Sequence, residues 1–363
     1  MTVDGGQAML VGMARHRAMW AINSACASKC AYCAIETQRR FEPLSDGEVA
    51  RVARELCDLG FAEVLFGGGE PLMSPSLPAA LDVLRGRAAV ALFTGGVPGD
   101  ARRWVDVIDQ GVGRVVFSID AGDDATNDRL RGRAGTTRDV LSLLRMLRAE
   151  RPRVDVSINT VVTRINVDAL EAVWDRTREL RPNSWSLTLG GANYDGFSPR
   201  GFFVDRHRVE QHYLRDVPRL AERLAADGAE LVVLPMPLPF LEARVPPMRW
   251  GAEAERFRVD LDSDFDRYAI GEYNRAFVER YGCPLIGEEI VIGVGGDVYP
   301  CSQFPIIQPR YAVGNLRHAA LRDVLAGPSL GAFRAGMPHE PCTRCLAPAN
   351  VERGSLDRLL RRR

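Results

Sequence analysis

Short apolar runs recur along the first half of the chain, spaced so that each pair leaves room for one helix. From Ala18 to about Gly191 they read AMWAIN, AEVLFGG, AVALFTG, RVVFSID, VDVSINTVV and SWSLTLG. Each is apolar enough for a strand covered on both faces, as parallel strands in α/β proteins are. The stretches between them are amphipathic. In SDGEVARVARELCDLG, Ser45 and Glu48 are spaced as a capping box. Val49, Val52, Ala53, Leu56 and Leu59 form one apolar stripe, and Gly60 ends the helix. Six βα units in a row predict an α/β fold with a parallel sheet, curved or closed like a barrel. Active residues then belong on loops at the strands' C-terminal ends.

The rhythm breaks over residues 192–282. That stretch holds GANYDGFSPRGFF, a helical VPRLAERLAADG, a strand-like ELVVLP and the proline-rich PMPLPF and VPPM. It reads as a linker and substrate-side insertion. Residues 283–350 read as a small module whose hairpin, EEIVIGVGGDVYPC, turns at Gly295-Gly296-Asp297. The expected plan is therefore a core over 1–191, an insertion over 192–282, a module over 283–350 and a tail over 351–363.

Charge narrows the partners. Lys and Arg total 47 and Asp and Glu total 47, which gives no general reason to bind nucleic acid or an anionic membrane. No run approaches 18 apolar residues and residues 1–17 lack a signal-peptide core, so the expectation is a cytoplasmic protein. The 8 cysteines cluster in a way that suits metal and not a disulfide framework.

CASKCAYC puts Cys26, Cys30 and Cys33 within one short loop after the first strand, with no fourth ligand nearby. A structural zinc site wants four ligands. A cubic iron–sulfur cluster held by three thiolates leaves one iron open to a small chelating ligand. GGGEPL follows the second strand: glycines permit close approach of a ligand, and the Glu70 carboxylate complements a cation. A plain βα turn with a helix-starting Pro71 is the alternative there. Cys283, Cys301, Cys342 and Cys345 form a second set that fits either a closed zinc site or a fully protein-ligated cluster. Cys57, on the apolar side of the first helix, reads as a packing residue.

The cysteine spacing, with Tyr32 just before the third thiol and GGGEPL one βα unit later, resembles the signature of the radical S-adenosylmethionine (SAM) superfamily. The resemblance implies a partial (β/α)6 TIM-like barrel and a 4Fe-4S cluster on Cys26, Cys30 and Cys33. SAM would chelate the open iron through its methionine amino and carboxylate groups. An electron from an external donor such as flavodoxin or ferredoxin would cleave it to methionine and a 5'-deoxyadenosyl radical. Gly68, Gly69 and Glu70 would meet the methionine ammonium, with Tyr32, Ser118, Asp120 and Asn159 as further cofactor contacts. LFTGG stands where many relatives carry Thr-Asn-Gly, so Gly95 takes the place of an Asn. GDVYPC, VGNL and the later C-x-x-C resemble the SPASM extension or its shortened twitch form. That likeness implies one auxiliary iron–sulfur cluster, a 4Fe-4S cluster on Cys283, Cys301, Cys342 and Cys345.

The cluster motif begins at residue 26, which leaves little space for the leader-recognition domain of peptide-modifying relatives and favours a small-molecule substrate. Four thiols at the second site leave no open iron and suit an electron acceptor. They also set the chain apart from the molybdenum-cofactor cyclase branch, whose second site resembles a three-cysteine one. The expected reaction is two-electron oxidation of a C–H bond in a small polar molecule, such as an alcohol carbon of a sugar or aminocyclitol, within a biosynthetic pathway. Epimerisation or rearrangement, peptide modification, and a non-catalytic metal-binding partner protein are the alternatives. No spacing selects a catalytic base among Tyr194, Asp195, Arg200 and Arg249.

Overall fold

The computed structural model describes residues 17–33, 35–96, 101–189, 214–234, 289–301 and 309–337, with a few isolated positions between them. The six predicted strands are all present: β1 (Arg17–Asn23), β2 (Glu63–Gly68), β3 (Ala89–Thr94), β4 (Arg114–Ser118), β5 (Asp155–Val162) and β6 (Ser184–Leu189). They lie side by side in chain order and every neighbouring pair is parallel. The connections carry helices α1 (Asp46–Asp58), α2 (Leu77–Leu84), α3 (Ala101–Asp109), α4 (Asp124–Arg131), α5 (Thr136–Glu150) and α6 (Leu170–Thr177). The capping box of α1 forms as the sequence suggests. Ser45 Oγ accepts from the Glu48 amide, and Glu48 Oε2 accepts from the Ser45 amide at 2.8 Å.

Alternation along the strands sorts the side chains onto two faces. Trp20, Phe66, Leu92, Phe117, Ile158 and Trp185 are buried with Leu56, Leu81, Leu144 and Val173 of the helices in one continuous core. Trp104 and Trp174 belong to the same core, and Trp174 stacks on Trp185 with ring centroids 6.1 Å apart. Cys57 packs against it, half-buried.

The opposite face of the sheet is mixed, with Leu65, Ala91 and Val116 buried among polar positions. At the N-terminal ends of the strands it holds a chain of ion pairs. Arg17 lies 3.8 Å from Glu289 and 3.5 Å from Glu63; Arg114 lies 3.9 Å from Glu63 and 2.9 Å from Asp155. These partly exposed pairs bind weakly one by one. Their common position puts charge at the end of the sheet away from the cysteine loop.

The sheet extends beyond the six units at both edges. Helix α7 (Leu214–Ala226) leads into β7 (Glu230–Leu234), which pairs in parallel with β6. The βα rhythm thus continues inside the stretch expected to be a linker, most of which lies outside the described residues. At the other edge β8 (Glu289–Ile292) pairs in parallel with β1, and β9 (Asp297–Tyr299) and β10 (Gly314–Asn315) follow antiparallel. Among the described residues the result is an open ten-stranded sheet in the order β10-β9-β8-β1-β2-β3-β4-β5-β6-β7. Helices α8 (Leu321–Ala326) and α9 (Pro328–Ala335) complete the described part of the C-terminal region.

The C-terminal hairpin is therefore a continuation of the main sheet, and polar side chains fasten the segment after β10 to α1. Glu55 Oε2 accepts from the Leu321 amide at 2.6 Å, capping α8, whose own N-cap Ala320 has no side chain able to do so. The other Glu55 oxygen holds Arg51 at 2.7 Å, and Arg51 donates to the Leu316 carbonyl. Arg317 donates to the carbonyls of Glu42 and Pro43 at 2.7 and 2.8 Å. Asn315 Nδ2 ties this segment to the hairpin turn through the Gly295 carbonyl and Asp297. Replacing Glu55 with Ala removes a helix cap and strands Arg51. The expected cost is about 1–2 kcal/mol in urea unfolding of the apoprotein, and Glu55→Gln should recover part of it.

Candidate functional site

Cys26, Cys30 and Cys33 sit, half-buried and free, on the loop after β1. Both neighbours of that loop bond to its backbone. From the β2 side, the Gly69 amide donates to the Asn23 carbonyl at 2.8 Å and the Glu70 amide to the Ala25 carbonyl at 2.7 Å. Asn23 Nδ2 donates back to the Glu70 carbonyl at 3.0 Å. From the α4 side, the Leu130 carbonyl accepts from the Ala31 amide at 3.0 Å.

The glycines of GGGEPL serve this junction. A Cβ on Gly69 would lie 2.2 Å from the Ala25 carbonyl oxygen, and one on Gly68 would lie 2.6 Å from that of Asn23. Gly68 also has φ +98°, in the region that favours glycine. From the sequence, these glycines are expected to admit a ligand; in the structure the cysteine loop itself comes too close for a side chain.

Glu70 is 1% exposed at the head of this turn. Its Oε2 accepts from Thr94 Oγ1 at 2.9 Å and from the Gly95 amide at 3.1 Å. Its Oε1 is buried without a hydrogen-bond partner, and so is Asn23 Oδ1 beside it. Burial lifts the carboxyl from its ordinary 4.5 to about 7 against the opposing pull of Thr94, the Gly95 and Leu72 amides and the Arg131 charge. A buried carboxylate oxygen with no donor is an arrangement that a cationic ligand would complete.

Tyr32 and Asp120 are brought together. The Tyr32 hydroxyl donates to Asp120 Oδ2, and Arg131 Nη1 donates to that hydroxyl at 2.7 Å. Asp120 is fully buried and its Oδ1 accepts from the Val161 amide at 2.8 Å. Both carboxylate oxygens are thus engaged inside the protein. Ser118 at the end of β4 and Asn159 within β5 stand in register, with Ser186 of β6 next in the row. Asn159 Oδ1 accepts from Thr188 Oγ1 at 3.0 Å. By the alternation of the strands this polar row lies on the face away from the helical core.

Burial raises the Cys30 thiol to about 11, with the Arg131 charge opposing, and raises Cys26 as well. Metal binding must therefore displace protons at neutral pH. Among the described residues no three His, Cys, Asp or Glu side chains converge as ligands of a single ion. A cavity of about 340 Å³ opens beside the loop, lined by Ser28, Lys29, Cys30, Cys33, Ile35 and Arg39.

Of the second cysteine set, Cys301 is buried just after β9. Cys283, Cys342 and Cys345 lie outside the described residues. The hairpin still reaches the first site: Val294 packs with Ala21 and Ile35, and Cys33 and Phe41 lie against them. Sequence reasoning missed Asn23, Thr94 and Arg131. Arg131 sits in DDATNDRLRGR, which reads as a solvated, charge-rich helix.

Comparison with known proteins agrees with this geometry. Residues 20–176 match the profile of the radical SAM superfamily, and residues 283–346 match that of an iron–sulfur cluster-binding domain, SPASM. The chain carries a radical SAM domain followed by a SPASM domain. Its first domain brings SAM and a 4Fe-4S cluster, and its second an auxiliary iron–sulfur cluster. The PqqA peptide cyclase of Gluconobacter oxydans is 23% identical over 326 residues, covering 88% of this chain and 79% of that protein. The GTP 3',8-cyclase of Chlorobaculum tepidum is 32% identical over 168 residues, covering 44% of this chain and 49% of that protein. Among solved structures, SuiB of Streptococcus suis bound to precursor peptide SuiA superposes with a TM-score of 0.65 at 17% identity, over 92% of this chain and 70% of that one. This likeness, and that to the same protein bound to S-adenosylmethionine, shows the shared fold, a partial barrel with a C-terminal module.

The radical SAM site sets two expectations. Gly69→Ala should take up only about half the wild-type iron on anaerobic reconstitution, because the new methyl group forces the Ala25 carbonyl away; iron and sulfide analysis checks this. Glu70, raised in the folded state, binds more protons folded than unfolded between its two pKa values. Its contribution to apoprotein stability is therefore complete below pH 4.5 and is lost as pH rises to about 7. Glu70→Gln should flatten that part of the pH dependence in urea unfolding.

Proposed function

We propose that Cys26, Cys30 and Cys33 hold the 4Fe-4S cluster, that Glu70 receives the methionine ammonium of SAM, and that Cys283, Cys301, Cys342 and Cys345 hold the auxiliary cluster. The reaction so catalysed is removal of a hydrogen atom from a C–H bond of a polar substrate, completed as a two-electron oxidation. The observation that carries this reading is the buried, unpartnered Glu70 Oε1 at the turn bonded to the three-thiol loop. When bound, SAM and the first cluster supply the 5'-deoxyadenosyl radical, and the auxiliary cluster supplies an acceptor for the second electron.

The protein's own groups do the rest. Thr94 and the Gly95 amide fix one Glu70 oxygen, which leaves the other directed by geometry and not by solvent. Ser118, Asn159, Ser186 and Thr188 offer hydroxyl and amide groups on the open face of the sheet, suited to orienting a substrate rich in polar groups.

The polar row favours a small polyhydroxylated or amino-substituted molecule. A peptide substrate is the second reading. Its support is the similarity to a PqqA peptide cyclase over 88% of the chain, and the shared fold with a protein captured with its precursor peptide. Stimulation of 5'-deoxyadenosine release by sugar alcohols and aminocyclitols, or instead by synthetic peptides, separates the two.

Reconstituted wild-type protein should contain about eight irons per chain, as two cubanes require, and should release 5'-deoxyadenosine from SAM after reduction. Cys30→Ala should lose about half the iron and all SAM cleavage. Cys283→Ala should lose about half the iron and keep SAM cleavage. Cleavage by Cys30→Ala at the wild-type rate would defeat the assignment of the first site. A full iron complement in Cys283→Ala would defeat that of the second.

A further inference from the structure

We propose that Tyr32, Asp120 and Arg131 are positioning residues. They form a buried lock that fixes the second half of the cysteine loop on the C-terminal turn of α4 and keeps a permanent cation beside the cluster thiolates, raising the cluster's reduction potential. The proposal rests on the reading that Cys26, Cys30 and Cys33 hold the cluster. It gives Tyr32 and Asp120 to the loop and not to SAM.

The lock is over-determined. Arg131 Nη1 bonds the Tyr32 hydroxyl at 2.7 Å and lies 3.4 Å from Asp120 Oδ2, to which Tyr32 also donates. Asp120 cannot swing out. Its second oxygen holds the Val161 amide, its own amide donates to Asn127 Oδ1 at 2.7 Å, and its carbonyl accepts from Asn166 Nδ2 at 2.7 Å. The backbone repeats the attachment on either side of Arg131. Leu130 accepts from the Ala31 amide. Gly132 is left-handed at φ +64°, and a Cβ there would lie 2.0 Å from the Lys29 carbonyl oxygen. Residues 130, 131 and 132 thus grip residues 31, 32 and 29 in turn.

The cation reaches past the lock. Arg131 is 8% exposed, and its Nε is buried with no hydrogen-bond partner. The tyrosine it holds stands in the loop between Cys30 and Cys33. A Cβ on Gly95 would lie 3.2 Å from Arg131 Nη2, tighter than ordinary contact. The glycine in LFTGG, where many relatives carry Asn, therefore leaves this fork its room. An arginine keeps its charge at every working pH. One electron from an external donor adds one negative charge to the cluster, and the Arg131 cation, offset in part by Asp120 at 3.4 Å, favours that reduced form.

The test compares wild-type protein with Tyr32→Phe, Arg131→Lys and Arg131→Met after anaerobic reconstitution. The readouts are an EPR-monitored redox titration and the rate of iron loss to a chelator. Arg131→Met should show a lower midpoint potential and several-fold faster iron loss. Arg131→Lys should keep the potential near that of wild type while losing iron faster, and Tyr32→Phe should do the same. Wild-type potential and iron retention in both Arg131→Met and Tyr32→Phe would overturn the proposal. A wild-type potential in Arg131→Met, whatever the iron retention, would overturn the role of the cation. If wild-type protein takes up no iron, the assignment of the three cysteines fails separately, and hydrogen exchange in the apoprotein decides the lock. An Ala31 amide that exchanges equally fast in wild type and Arg131→Met would overturn it.

Discussion

The close approach of two backbones governs the first site. The Gly69 and Glu70 amides bond to carbonyls on either side of Ser24, at distances that exclude a Cβ on Gly68 or Gly69. Strand ends in a parallel sheet are adjacent, so loops from β1 and β2 meet at the rim without further design. Joining them by direct amide bonds makes one object of the cysteine loop and the Glu70 turn. A ligand that spans an iron and a carboxylate needs those two groups at a fixed separation, and a junction this tight provides it with few flexible torsions between. The same junction explains why the carboxylate is buried: Glu70 starts a short 3-10 turn directly behind the bonded residues, so its side chain points inward to Thr94 on β3.

The second support of the loop is electrostatic. An ion pair buried as deeply as Asp120 and Arg131 is a poor source of stability in itself, because both charges lose their water. Such a pair is better understood by what it holds. Here it holds Tyr32, and through it the stretch between Cys30 and Cys33, to an element that comes from the opposite side of the site. The ion pairs among Arg17, Glu63, Arg114, Asp155 and Glu289 contrast with it. They lie at the far end of the sheet, partly exposed, and cost little desolvation.

The range of each interaction decides how much of it is legible in the sequence. The six core strands are legible because burial on two faces leaves a continuous apolar run, and α1 because its cap and stripe are local. The three-thiol loop and Glu70 are legible as spacing. The parallel pairing of β8 with β1 is not, because it joins residues more than 270 positions apart and leaves no local mark. Strand β7 reads as strand-like but not as part of the sheet, since the irregular stretch before it breaks the rhythm. Arg131 is invisible for a different reason. In a helix reading DDATNDRLRGR, one buried arginine looks like its exposed neighbours, and only the fold shows which of them meets a tyrosine from another loop. The glycines of the Glu70 turn stand out in the sequence but point to a ligand, when their immediate neighbour is the chain itself.

The pairing of β8 with β1 has a consequence for how the C-terminal region relates to the first site. A module joined by a linker could take many orientations, whereas a strand hydrogen-bonded along Arg17–Trp20 can take only one register. That register sets the hairpin turn against the segment after Cys33, with Val294 on Ile35 and Gly295 close to Phe41. Cys301 comes within a few residues of the same hairpin. Its placement relative to Cys33 is thus fixed by sheet hydrogen bonds and packed side chains. Under the proposed assignment of the two cysteine sets, the shared sheet is a rigid way to hold their separation constant. The bonds from α1 to Leu316 and Leu321 brace the same arrangement from the outer side, so the C-terminal region is anchored at two faces of one βα unit.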